Sequence, residues 1–168
     1  ASDRKVGGSL MRIHRDVRFS KDKSPYKTNL GIQFRHEAGK DVHAPGFYLH
    51  VEPSGCFLVA GMWHPASGAL RAVREAIVAD PAGWRRARDG KAFRRRWDLA
   101  GDALKRAPKG FDPDHPLIED LKRKDHVAVA DLDPKILTSP DLLKHRAETV
   151  RAAKPYMAFQ AAALDLPI

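Results

Sequence analysis

FYLHVEPSGCFLVAGMW, running from Phe47 to Trp63, decides the fold. Phe47, Leu49 and Val51 alternate with Tyr48, His50 and Glu52, the period of a strand with one apolar and one polar side. Pro53-Ser54-Gly55 supplies the dihedrals of a turn, and Cys56 to Trp63 returns as a second strand. These residues predict an antiparallel hairpin. Upstream, Leu30, Ile32 and Phe34 alternate with Asn29, Gly31, Gln33 and Arg35 and predict another strand. Further upstream, Met11, Ile13, Val17 and Phe19 alternate with Arg12, His14, Asp16 and Arg18, with one interruption at Arg15. That run predicts a first strand, joined to the next through the turn-like SKDKSPY.

Downstream of the hairpin the period changes. Leu70, Val73 and Ile77 recur at helical spacing, and Asp80-Pro81 closes the element. WRRARDGKAFRRRW, Trp84 to Trp97, reads either as a short helix followed by a strand or as a surface loop. The proline-rich stretch from Pro108 to Pro116 must be extended or turned. Leu117 to Lys122 predicts one or two helical turns, and Val127 to Leu132 a short strand. Ser139-Pro140 starts a last helix, whose expected buried stripe is Leu142, Leu143, Val150 and Ala153, with a kink or break at Pro155 before Tyr156 and Phe159. Strands first and helices later point to an α+β fold, an antiparallel sheet of about four to six strands packed by helices mainly from the second half.

Composition sets the outer bounds. A chain of 168 residues with 43% hydrophobic residues carries enough apolar material for one core, so a single α+β domain over 1–168 is expected. Cys56 is the one cysteine; it can form neither an internal disulfide nor a zinc-type pair, which points to a reducing compartment and the cytoplasm. No stretch approaches the roughly 20 consecutive apolar residues of a membrane helix. The net charge of +9 favours anionic partners by raising their local concentration.

RIHRDVRFSKDKSPYK, Arg12 to Lys27, sets six cations against Asp16 and Asp22. Arginine forks match phosphate and carboxylate oxygens in pairs, and lysines add compact point charges, so Arg15, Arg18, Lys21, Lys23, Tyr26 and Lys27 are candidate ligand-binding residues. Two other readings stand beside this one: a solvated charged loop, and a loop in which Asp16 and Asp22 hold the arginines through ion pairs. His14-Arg15-Asp16 matches three residues of a kinase catalytic loop, but Lys21 stands where that pattern needs asparagine, and no glycine-rich phosphate loop precedes it.

The polar side of the hairpin adds Tyr48 as a ligand-binding candidate. Asp16, His50, Glu52 and His115 are the candidate acids and bases. His50 and Glu52 together with His14 or His64 have the donor chemistry of a metal site, but no HExxH or facial-triad spacing accompanies them, and no metal is assigned. In Trp84 to Trp97, seven cations and one aspartate surround Trp84, Phe93 and Trp97. That pattern suits single-stranded nucleic acid by phosphate contact and base stacking, or a helix anchored by its aromatic rings while the arginines reach water. Cys56, in an apolar strand with no base beside it, reads as a small core residue.

Three runs together resemble the family called domain of unknown function 2461: RIHRDVRFSKDKSPYKTNLG from Arg12, PGFYLHVEPSGCFLVAGMWHP from Pro45, and LKRAPKGFDPDHPLIEDLKRKD from Leu104. Arg15, Asp16, Arg18, Lys21, Asp22, Lys23, Tyr26 and Lys27 match its motif residue by residue, as do Tyr48, His50, Asp114, His115 and Pro116. The resemblance implies an α+β fold and brings no established activity, cofactor or catalytic residue. Family members carry a helical segment ahead of the first motif, and the expectation is that the full-length protein has one too. The leading functional expectation is a binding or catalytic module for a phosphate-bearing or other anionic ligand, built on RDVRFSKDKSPYK and the Tyr48/His50/Glu52 face. Nucleic-acid binding through the basic surface and a structural or protein-interaction role are the alternatives.

Overall fold

The computed structural model describes residues 9–19, 21–34, 44–140 and 142–167. Its frame is a five-stranded antiparallel sheet: β1 (Leu30–Phe34), β2 (Gly46–Glu52), β3 (Gly55–Met62), β4 (Asp98–Ala100) and β5 (His126–Leu132), in the order β1-β2-β3-β5-β4. β2 and β3 form the predicted hairpin, in register from Gly46 opposite Gly61 to Glu52 opposite Gly55. Strict alternation along β3 sends Cys56, Leu58, Ala60 and Met62 to a buried face and Phe57 and Val59 to the other. β5 docks on β3 and completes the centre, and β4 closes the far side.

Among the described residues, helices cover one face of the sheet. α1 (Ser67–Ala79) buries Val73 and Ile77, and α2 (Pro81–Asp89) follows with one residue between. Asp80 manages both ends of that junction. Its backbone N–H donates to Ala76 at the close of α1, and its carboxylate accepts from the backbone N–H of Gly83 at 2.8 Å to cap α2, with Pro81 in the first turn. The short α3 (Lys91–Arg94) leads into β4, so Trp84 to Trp97 is a pair of helices running into a strand. α4 (Ile118–Leu121) precedes β5, and α5 (Leu142–Ala162) packs across α2, α3 and β3. Trp84, Phe93, Trp97 and Tyr156 form the aromatic centre between the helices and the sheet.

Three expectations need correction. The predicted first strand does not form. Met11 N–H donates to Gly31 and Gln33 N–H to Ser9, which pairs only Ser9–Met11 with the edge of β1, and Ile13 and Phe19 are 50% and 96% exposed. Beyond Ile13 the backbone is captured locally: Asp16 and Asp22 accept from the backbone N–H groups of Arg18 and Ser24, two residues on, and so compete with a strand ladder. Pro155 does not break α5, because Tyr156 and Gln160 beyond it are fully buried and hold the second half against the core. Val150 is exposed; Thr149, Ala152, Ala153 and Tyr156 form the buried stripe instead. The side chains of Leu142 and Leu143, and all of Arg35, lie outside the described residues.

Candidate functional site

The face of the sheet opposite the helices carries the polar strand positions. Period-2 alternation on β2 places Tyr48, His50 and Glu52 there, and pairing sets Gln33 opposite Tyr48, Gly31 opposite His50, and Phe57 opposite His50 on the other side. Phe57 stacks under the His50 ring, centroids 4.6 Å apart at 11°. The imidazole is thereby fixed in the plane of its neighbours.

These neighbours form a chain. His50 Nδ1 lies 3.2 Å from Nδ2 of Asn29 and 3.0 Å from the hydroxyl of Tyr48, and His50 Nε2 lies 3.6 Å from Oε1 of Glu52. Asn29 Nδ2 only donates, so Nδ1 is the acceptor and the ring proton sits on Nε2, facing the carboxylate. Tyr48 shares that nitrogen's single lone pair with Asn29 in a three-centre contact. Burial, and secondly the nearby negative charge of Glu52, raise the pKa of the Tyr48 phenol. Tyr48 is therefore held as a neutral hydrogen-bonding group. Gly31 makes room for this arrangement, since a Cβ there would stand 2.8 Å from the Tyr48 hydroxyl.

The basic loop joins this face through Asn29, two residues beyond Lys27. Within the loop, Arg15 N–H donates to Pro25 and Lys27 N–H to Ile13, while the His14 and Tyr26 rings pack 5.4 Å apart. Arg15 donates to Asp22 and, at 3.1 Å, to Ser24. Arg18 grips Asp16 with two nitrogens at 3.0 and 2.7 Å, and Lys23 Nζ donates to the carbonyl of Val17 at 2.8 Å. The Arg18 hydrogen bonds lower the Asp16 pKa, and the Ser24 backbone N–H leads the lowering at Asp22. Both carboxylates are ionic partners of the arginines, as the ion-pair reading of the loop anticipates. Among the described residues, Arg12, Lys21 and Lys27 have no carboxylate within ion-pair distance.

Other sequence candidates lie elsewhere. His14 belongs to the loop and not to the sheet. His115 Nδ1 accepts from the backbone N–H of Leu117 at 3.1 Å, which stabilises the turn ahead of α4 on the helical side. His64 is paired with Asp125 at the end of β3. Among the described residues, no three His, Cys, Asp or Glu side chains converge as a metal site would require. Trp84, Phe93 and Trp97 are buried, and Arg88, Arg94 and Arg96 are paired with Asp89, Asp120 and Glu148. Those rings are core anchors and present no face to a base. Sequence reasoning missed Asn29, which carries no signal beyond its place between the loop and β1.

Comparison with curated proteins and with solved structures gives no match. A family model does match, over residues 1–159, and the chain belongs to that family, the conserved hypothetical proteins DUF2461.

Proposed function

We propose that the chain is a binding or catalytic module for a phosphate-bearing or other anionic ligand, received where the Arg12–Lys27 loop meets the Tyr48/His50/Glu52 face. The observation that carries this reading is the contact chain in which Asn29 and Tyr48 meet His50 Nδ1 and Glu52 lies 3.6 Å from Nε2, which ties the cationic loop to an imidazole on the sheet face opposite the helices. Lys21, Lys27 and Arg12 meet the anion; Arg15, Arg18 and Lys23, engaged with Asp22, Asp16 and the Val17 carbonyl, shape the loop that presents them. Tyr48 donates to the bound ligand or to His50, and Glu52 supports the imidazole when it takes a proton. Asp16, bound to Arg18, and His115, bound in its own turn, are left out of the chemistry.

Titration of the chain with inorganic phosphate and with a small phosphomonoester, followed through the His50 ring signals, tests this reading. A saturable shift that weakens in Lys21→Ala and in Glu52→Gln is expected. Signals that stay unmoved by either anion overturn it. Single-stranded DNA serves as the comparison: binding there that responds to Arg85→Ala and leaves His50 unmoved favours the nucleic-acid alternative.

A further inference from the structure

A second polar system lies on the opposite, helix-covered side of the sheet. Among the described residues, nine buried side-chain polar atoms lack a close hydrogen-bond partner, and eight of them belong to Arg74, Trp84, Arg123, His126, Tyr156 and Gln160, the Gln160 side chain reaching the Tyr156 hydroxyl only as a longer contact. These residues adjoin one another. Arg74 donates to the backbone carbonyl of Arg123 at 2.9 Å, the Trp84 ring stands 5.6 Å from His126 and 5.5 Å from Tyr156, and Gln160 follows Tyr156 one turn along α5. Trp84, His126, Tyr156 and Gln160 are all fully buried. Buried polar groups in folded proteins are nearly always satisfied, so this concentration marks a place built to meet something.

The kind of partner follows from the inventory. Arg74 Nε, Arg123 Nε and Trp84 Nε1 can only donate, and the Gln160 carbonyl is the sole group of the set that can only accept. The cluster is short of acceptors. It is also short of negative charge at contact distance, because among the described residues neither Arg74 nor Arg123 has a carboxylate within ion-pair range. The two buried carboxylates nearby are committed: Asp120 to Arg88, and Asp125 to the backbone N–H groups of His64 and Asp102. Burial, and after it the charges of Arg123 and Arg74, hold the His126 imidazole neutral.

We propose that Arg74, Arg123, His126 and Gln160, roofed by Trp84 and Tyr156, form an internal site for a small oxyanion, a carboxylate or phosphate group whose oxygens accept from the two guanidinium Nε–H groups and the Trp84 indole. The site is separate from the loop and sheet face, on which nothing in this inference depends.

The Trp84 indole N–H is a built-in reporter. Of the other two tryptophans, Trp63 is exposed and Trp97 donates to the carbonyl of Thr149, so a ligand here moves one indole signal. The chain is titrated with sodium phosphate and with sodium acetate, against sodium chloride at matched ionic strength, while the indole N–H signals are recorded. A saturable displacement of the Trp84 signal by phosphate or acetate, and not by chloride, is expected. Arg74→Gln should weaken it roughly tenfold or more, the worth of a charge-assisted contact. Gln160→Met, which keeps the volume and removes a partner, should weaken it less, and Lys21→Ala should leave it unchanged. Gln160→Met keeps the test open if Arg74→Gln fails to fold. An unmoved Trp84 signal, a movement equal in chloride, or one unaffected in both variants overturns the proposal and leaves internal water as the partner of these groups.

Discussion

Asp125→Ala should destabilise the chain by about 3 kcal/mol. Asp125 is 1% exposed, at the start of β5, and its two oxygens accept from the backbone N–H groups of His64 at 2.8 Å and Asp102 at 3.2 Å. It therefore joins the end of β3 to the end of β4. His64 sits at φ 48°, the left-handed region, where a side chain costs about 1 kcal/mol, and Asp125 holds it there. Hydrogen bonds to a charged group contribute about 1.5–3 kcal/mol each. The longer bond belongs at the low end, since Asp102 is exposed and its N–H regains water; relief from burying a carboxylate offsets part of the rest. A net of about 3 kcal/mol corresponds to a fall in Tm of about 6–12 °C for a chain of this size. Urea unfolding followed by tryptophan emission and circular dichroism measures it. Asp125→Asn keeps one good acceptor and should lose about half as much. If Asp125→Ala unfolds within about 1 kcal/mol of the parent, the two turns are held by something else and the reasoning is wrong.

Gly61→Ala should abolish folding or cost more than about 4 kcal/mol, because φ is +119° and the new Cβ would stand 2.0 Å from the carbonyl oxygen of His126; yield and thermal melting report it. Pro155→Ala should stabilise by about 1–3 kcal/mol, since α5 runs through that exposed position and the change restores a helical N–H; a lower Tm would contradict it. The His126 pKa is lowered to about 3 in the folded chain, below the ordinary 6.5, so the unfolded chain binds more protons between those values. Stability is then complete above pH 6.5 and falls on acidification toward 3, by at most about 1.4 kcal/mol per pH unit, and His126→Leu should flatten that slope between about pH 6.5 and 5.

The hairpin was legible because Phe47 to Glu52 alternates without interruption, Pro53-Ser54-Gly55 supplies a turn, and the apolar run Cys56 to Trp63 returns. The same period misleads at Met11 to Phe19. Alternation there is real, yet Asp16 and Asp22 offer the backbone local partners, and the apolar residues find no layer to cover them. Pro155 misleads in the opposite direction: local propensity argues for a break, and the burial of Tyr156 and Gln160 overrides it. The Tyr48/His50/Glu52 face could be read from period alone, but the contact that joins it to the loop depends on Asn29, whose partner is distant in sequence. The internal cluster did leave a trace. Arg74 lies in the apolar stripe of Leu70, Val73 and Ile77, and His126 shares the inward parity of Ala128, Ala130 and Leu132. A charged or titratable residue in phase with a core stripe is the signal that composition-level reading passes over.

The two cationic systems differ in what surrounds them, and that difference separates them in solution. Arg12, Lys21 and Lys27 stand in water beside the exposed pairs of Arg15 and Arg18, where ionic contacts hold weakly and are exchanged readily. The surplus of the loop acts through solvent and is screened beyond roughly 8 Å at physiological ionic strength. Arg74 is 9% exposed, with its guanidinium tied to the Arg123 carbonyl, so salt screens it far less than it screens the loop. Raising sodium chloride should therefore weaken phosphate binding read at His50 severalfold while leaving the displacement read at Trp84 nearly unchanged. Equal salt sensitivity at both reporters would mean that one surface process moves both signals, and the assignment of two separate sites would fall.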